Sequence, residues 1–182
     1  VLFSTVLGSL GALGQARKRI RNSLGNKMLR SGQSLLESLV VLPIMIPEII
    51  LGVAFMLLFS LLKLPAGIFS LVIAHTTFCV PYIFSMVRAR LVGMDKSLEE
   101  AALDLGASPA RVFRDVTLPQ IMPAILSGVM LAFAMSFDDV VISIFVTGPK
   151  VNTLPIKIYT QLKTGVTPEI NALATIMLLI TV

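Results

Sequence analysis

The sequence predicts an all-α integral membrane protein, and three observations carry that prediction. Charged side chains make up 14% of the 182 residues, against about 25% in a typical soluble domain. Mean hydropathy is +0.91. The apolar residues gather in long runs, as helices in hydrocarbon require, because every backbone polar group there must be satisfied internally.

Five apolar segments follow in order. Residues 1–14 read as the tail of one span, 35–62 as a second, 67–87 as a third and 121–146 as a fourth. Residues 170–182 begin a fifth. A crossing takes about 20 residues, so the middle three are long enough and the outer two read as partial. The whole of 1–182 is expected to be a single transmembrane domain. The chain lacks a starting Met and begins and ends inside apolar runs, so it reads as part of a longer protein.

Charge sets the orientation. Residues 15–34 carry Arg17, Lys18, Arg19, Arg21, Lys27 and Arg30, and residues 88–120 carry Arg88, Arg90, Lys96, Arg111 and Arg114. The opposite loops hold only Lys63, Lys150, Lys157 and Lys163. The first pair of loops is therefore expected in the cytoplasm. The pI near 9.7 follows from this clustering between spans, so nucleic acid is not expected as a partner. The single Cys79 excludes an intramolecular disulfide. Pro43, Pro47 and Pro81 fall inside apolar segments, where a proline removes a helix hydrogen bond. Each is a plain kink or a bend that shapes a cavity.

Residues 88–120 are patterned beyond the needs of a connector. In "KSLEEAALDLGASPARVFRDVTLPQ", residues 96–120, Ser97 and Glu100 have capping-box spacing, predicting a helix from Leu98. Leu98, Ala101, Ala102 and Leu105 then share one face. Gly106 suits the left-handed position that ends a helix. Ser108-Pro109 starts another, expected to end by Leu118, before Pro119.

This stretch resembles the EAA loop of bacterial ABC importer permeases. Glu100, Ala101, Ala102 and Gly106 match its spacing, as do Leu118 and Pro119, while Val116 stands where isoleucine is usual. The resemblance implies a type I ABC importer permease-like helical bundle, a six-span subunit of which this chain covers a part. In that family the loop forms a coupling helix that docks on the ATP-hydrolysing subunit. The chain has no G-x-x-x-x-G-K-[ST] loop. No cofactor is therefore expected in this subunit, ATP and Mg belonging to a separate ATPase, and the chain is expected to be a transport subunit, not an enzyme.

Ionisable residues inside spans are the remaining clue. Glu48, Asp138 and Asp139 lie in apolar segments, each costing about 2.5–3.5 kcal/mol at a bilayer centre. No basic residue lies well inside a span to pair with them, and His75 could be neutral. Glu37 sits at the cytoplasmic edge, where water would solvate it. On an ideal helix Gly128, Ala132, Ser136, Asp139 and Ser143 form one small, polar stripe, suited to a pathway or to a close helix contact. Asp138 lies about 100° away, so the two acids diverge unless the helix is distorted. The stripe favours Asp139 slightly as the cavity residue. Phe137 and Tyr82 could add cation–π contacts, and each could equally be packing.

"FAMSFDDVVISIFVTGP", "TLPIKIYTQLKTGVTPEINALATI" and "HTTFCVPYIFSMVRARL" resemble the C-type permeases of bacterial spermidine/putrescine importers. That resemblance implies a polyamine substrate, a path lined by Glu48, Asp138 and Asp139, and residence in the bacterial inner membrane. It implies as partners a second homologous permease, two ATP-binding subunits and an extracytoplasmic polyamine-binding protein. Another organic cation or an amino-acid derivative is the alternative cargo, and a stand-alone channel or secondary carrier the alternative machine. Near the end, residues 154–163 predict a short helix closed by Gly165, and Thr167-Pro168-Glu169 a helix start with an acid in its first turn.

Overall fold

Every regular element among the described residues is helical in the computed structural model. The structure describes residues 1–22, 27–149, 151–165 and 167–181, with side chains at 1–16, 35–149, 151–165 and 167–180. The basic side chains of Arg17, Lys18, Arg19, Arg21, Lys27, Arg30 and Lys150, on which part of the orientation rests, and Val166 lie outside the described set.

The elements in chain order are α1 (Leu2–Asn22), α2 (Lys27–Met45), α3 (Glu48–Leu61), α4 (Ile68–Val92), α5 (Ser97–Asp104) and α6 (Pro109–Val112). A π-helical turn (Phe113–Thr117) leads into α7 (Leu118–Phe137). Then come α8 (Val141–Val146), α9 (Leu154–Thr164) and α10 (Pro168–Thr181). Two continuous helices are long and apolar enough to cross a membrane, Ile68–Val92 and Pro109–Phe137. Leu35–Met45 and Glu48–Leu61 qualify only as a pair, and Leu2–Ala16 and Pro168–Ile180 are shorter apolar helices.

Several boundaries differ from the sequence-based expectation. The run 35–62 breaks at Ile46-Pro47, and Pro47 becomes the N-cap of α3, its carbonyl accepting from Ile50 and Leu51. The run 121–146 breaks at Asp138–Val140. The helix expected to end by Leu118 instead continues through Pro119. The Leu118 N–H reaches back five residues to the Phe113 carbonyl. This wider turn leaves Pro119 in the first turn of α7, where its missing N–H is tolerated.

The chain divides into two units, Val1–Ile44 with Cys79–Ala132, and Met45–Phe78 with Phe133–Val182. The first gathers α1, α4 and α7 around the buried Ile83. A Cβ on Gly8 would stand 3.0 Å from Ile83 Cβ and from the Val80 carbonyl oxygen. One on Gly128 would stand 3.1 Å from Ile83 Cα. Small residues thus let the helices approach closely, the usual device where lipid offers no hydrophobic drive between helices. Glu37, expected to be solvated, is instead ion-paired with Arg88. Arg90 Nε donates to the Gln120 carbonyl at 2.9 Å, tying the end of α4 to the start of α7.

In the second unit α3 packs on α8. Gly52 is the contact: an added Cβ would fall 2.6 Å from Phe145 Cδ2 and 3.4 Å from Ile142 Cα. The Gly67 N–H donates to the Val146 carbonyl at 3.1 Å, fixing the far end of α8. The predicted helix at 154–163 is α9, capped by the Thr153 hydroxyl and ended at Gly165. Leu2, Leu61 and Phe69 are among many apolar side chains left exposed, an arrangement suited to lipid.

Candidate functional site

Two sites emerge, one in each unit. The first begins where α4 ends. The Asp95 carboxylate accepts the Ser97 N–H at 2.9 Å, and α5 starts at Ser97, one residue earlier than expected. The predicted Ser97–Glu100 capping box is not formed; no side chain caps α5 from Lys96. The bond from Ser97 holds the Asp95 carboxyl below the usual carboxylate range. At the other end, the Gly106 N–H donates to the Leu103 carbonyl and the Ala107 N–H to the Ala102 carbonyl. With Gly106 at φ 81°, this is a Schellman ending. Ser108 then caps α6, accepting from the Arg111 N–H at 3.4 Å.

Glu100, Ala101 and Gly106 are exposed and Ala102 half-buried. Leu98 and Leu105, on the same apolar face, are 52% and 89% exposed. Leu118 and Pro119 open α7 instead of closing a short helix. The loop therefore presents an apolar face with an acid beside it, held in place by caps. Glu99, which sequence reasoning passed over, accepts a 2.5 Å hydrogen bond from the Thr117 hydroxyl in the π-helical turn.

The second site surrounds the acid pair. The Asp138 N–H still donates to the Ala134 carbonyl, at 3.2 Å. Asp139 belongs to the next helix: its Oδ1 accepts from Ile142 N at 3.1 Å, and its Oδ2 from Ser143 N at 2.8 Å and Ser143 Oγ at 2.7 Å. Both acids therefore lie in the break, Asp138 still bonded back to α7 and Asp139 capping α8. Asp139 is buried, whereas Asp138 is exposed.

His75, in the first half of α4, completes the cluster. Its Nδ1 lies 2.8 Å from Ser136 Oγ, and its Nε2 lies 3.0 Å from Ser143 Oγ and 3.3 Å from Asp139 Oδ2. Because Ser143 Oγ donates to Asp139, it can accept from an Nε2–H. Each charge-assisted bond contributes about 1.5–3 kcal/mol, so several together offset the ~3 kcal/mol insertion penalty of an acid. The signal for His75 was its standing as the one titratable nitrogen side chain within an apolar run. What it pairs with depends on a different helix.

The small stripe is a helix contact. Gly128 faces Ile83, Ala132 offers its carbonyl to Cys79 Sγ at 3.5 Å, and Ser136 meets His75. Ile83, Cys79 and His75 are themselves spaced by four along α4. Of the other candidates, Phe137 stacks on Phe133 with centroids 5.4 Å apart. Glu48 is exposed in the first turn of α3, one turn before Gly52. Tyr82 is half-buried and belongs to the other unit. Among the described residues no group of His, Cys, Asp and Glu could hold a metal ion.

Long apolar helices, a capped loop with EAA spacing and a buried polar cluster at a helix break define a polytopic membrane protein. The chain belongs to the family described as binding-protein-dependent transport system inner membrane component, which it matches over residues 22–182. It is 42% identical to the spermidine/putrescine transport system permease protein PotC of Escherichia coli K12, over 98% of this chain and 64% of that protein. It is 42% identical to the putrescine transport system permease protein PotI of the same strain, over 96% of this chain and 61% of the relative. PotC of Haemophilus influenzae is 40% identical over 97% of this chain and 65% of its own length. The chain thus spans somewhat under two thirds of these relatives. In an inward-facing structure of the MetNI methionine ABC transporter, one chain superimposes with a TM-score of 0.71 at 19% identity, covering 98% of this chain and 82% of that one. The fold is that of a type I ABC importer permease.

Proposed function

We propose that the chain is the membrane-spanning part of a permease subunit in an ATP-driven importer that carries polyamines, spermidine or putrescine, into the bacterial cytoplasm by alternating access. The observation that carries this reading is the 42% identity, over nearly all of the chain, to permeases named for those solutes. Residues 1–182 act in it as one transmembrane domain. Its partners are a second homologous permease, two copies of an ATP-binding subunit and an extracytoplasmic polyamine-binding protein. Hydrolysis belongs to the ATP-binding subunit, with its Mg.

The exposed face of α5, with Glu100, Ala101 and Ala102, docks on the ATP-binding subunit, and Gly106, Leu118 and Pro119 shape the loop. Glu48, Asp138, Asp139, Tyr82 and Phe137 belong to the substrate path. Their parts differ. The exposed Asp138 carboxylate faces outward from its unit, so it meets the cation. Asp139 is already engaged by donors, so it shapes the path. Glu48 is a second exposed acid on the helix that packs against α8.

Uptake of radiolabelled putrescine and spermidine by the complete transporter tests the substrate. Uptake of both is expected, with Asp138→Asn lowering it severalfold while assembly and ATP-binding-subunit attachment persist. Uptake of an unrelated solute instead would overturn the polyamine reading and leave the permease reading standing. Transport without any ATPase would favour a carrier.

A further inference from the structure

We propose that His75 is the positioning residue of the cation path: it bridges the break between α7 and α8 and so sets where Asp138 is presented. The inference rests on the polyamine reading above.

One imidazole touches both sides of the break. Nδ1 holds Ser136, the penultimate residue of α7, and Nε2 holds Ser143, in the first turn of α8, and Asp139, which caps that helix. The ring comes from α4, a continuous helix of 25 residues, and lies next to a buried face that includes Ala74 and Phe78. It is therefore a fixed post against which two helix ends are registered. Between those ends only Asp138, Asp139 and Val140 are non-helical. Three residues leave little slack, so a shift of either end moves Asp138.

The cap on α8 does not need His75. Asp139 takes the Ile142 and Ser143 N–H groups and the Ser143 hydroxyl without it. Without the ring, the Ser136 hydroxyl can turn to the carbonyl four residues back, as serines in membrane helices do, while the Ser143 hydroxyl keeps its bond to Asp139. Removing the imidazole should therefore leave two intact helices with a changed angle between them. That distinguishes positioning from folding. It also assigns different work to the two acids: Asp139 receives the imidazole, and Asp138 is what the imidazole aims.

The test uses the complete transporter in proteoliposomes, with His75→Phe to remove the ring nitrogens and His75→Gln to restore one amide donor. The first readout is the ratio of spermidine to putrescine uptake, which cancels the amount of assembled protein. His75→Phe should shift that ratio about threefold, less than one kcal/mol, and His75→Gln should return it toward the original value. The second readout needs no polyamine: the rate at which a cationic thiol reagent labels Asp138→Cys, the buried Cys79 serving as an unreactive background. His75→Phe should change that rate severalfold, and His75→Gln should reverse the change. An unchanged ratio together with an unchanged labelling rate overturns the proposal. Loss of assembled transporter in both His75 variants assigns the residue to folding and overturns it equally. If the unmodified transporter moves no polyamine, the substrate reading falls, and the labelling rate alone decides whether His75 positions residue 138.

Discussion

Thr117 donates a 2.5 Å hydrogen bond to the Glu99 carboxylate, joining the π-helical turn to α5. The helix α5 buries none of its own residues. It borders a hollow of about 240 Å³ whose lining includes Leu13, Leu91, Leu103, Val112 and Phe113. Packing thus holds α5 weakly, and the Glu99–Thr117 bond is a polar tether between it and the helix that enters the membrane.

Thr117→Val keeps the side-chain shape and removes the donor. A hydrogen bond to a charged group contributes about 1.5–3 kcal/mol, and the partial exposure of Glu99 places this one at the lower end. Amide exchange across α5 is expected to quicken while α7 is unaffected. On the proposed docking of α5 to the ATP-binding subunit, less solute should enter per ATP hydrolysed in the assembled transporter, because a slack tether would transmit less of the motion. Equal exchange rates in the two proteins would show that the tether holds nothing.

Asp95 gives the same loop a pH dependence. Its carboxyl is fully exposed and held below the usual range, first by the Ser97 N–H and then by the Ser97 side chain. A folded-state pKa below the unfolded one contributes stability above the ordinary carboxylate range, near pH 4. That contribution is lost as pH falls through the folded value. Protection of the Ser97 amide, corrected for its intrinsic exchange, should stay level from neutral pH to about 5 and then decline. Asp95→Ala is the control. In that variant the Ser97 amide should be unprotected at every pH.

Gly106 isolates backbone strain. Nothing lies within 4 Å of a Cβ placed there, yet φ is 81°. Gly106→Val should therefore lose about 1–2 kcal/mol through conformation alone, and Gly106→Asn, which tolerates this region, should lose much less. Co-purification of the ATP-binding subunit reads the consequence: reduced with valine, near normal with asparagine. Equal retention would mean that the turn does not set the docking surface.

What was legible in the sequence was local. Gly106, Ser108-Pro109 and Gly165 each act within a few residues, and each falls where its chemistry puts it. The Ser97–Glu100 box failed because a nearer acceptor, Asp95, takes the Ser97 amide. Pro119 misled because a π-helical turn lets a helix pass a proline that would otherwise end it. The acid pair was visible as a charge anomaly, but its division was not. A carboxylate that caps α8 while receiving a histidine from α4 depends on tertiary contact. The stripe through Gly128, Ala132 and Ser136 suited a pathway or a contact equally well, and only its neighbours Ile83, Cys79 and His75 decide for the contact.

Two glycines on that logic should respond differently to the same substitution. At Gly52 a new methyl would meet the Phe145 ring at 2.6 Å, with backbone no closer than Ile142 Cα at 3.4 Å. At Gly128 it would meet Ile83 Cα at 3.1 Å, with that side chain no closer than 3.5 Å. The obstacle is a removable ring in one case and a helix backbone in the other. Gly52→Ala should destabilise by about 1–3 kcal/mol through overpacking, and Phe145→Leu in the same chain should recover most of it. Gly128→Ala forces α4 and α7 apart by a few tenths of an ångström, and trimming Ile83 to alanine should recover little, since Cα remains. Thermal unfolding of the purified transporter, read as two double-mutant cycles, separates the cases. A large favourable coupling is expected for positions 52 and 145 and a small one for 128 and 83, and the reverse order would mean that these are not the contacts that set helix spacing.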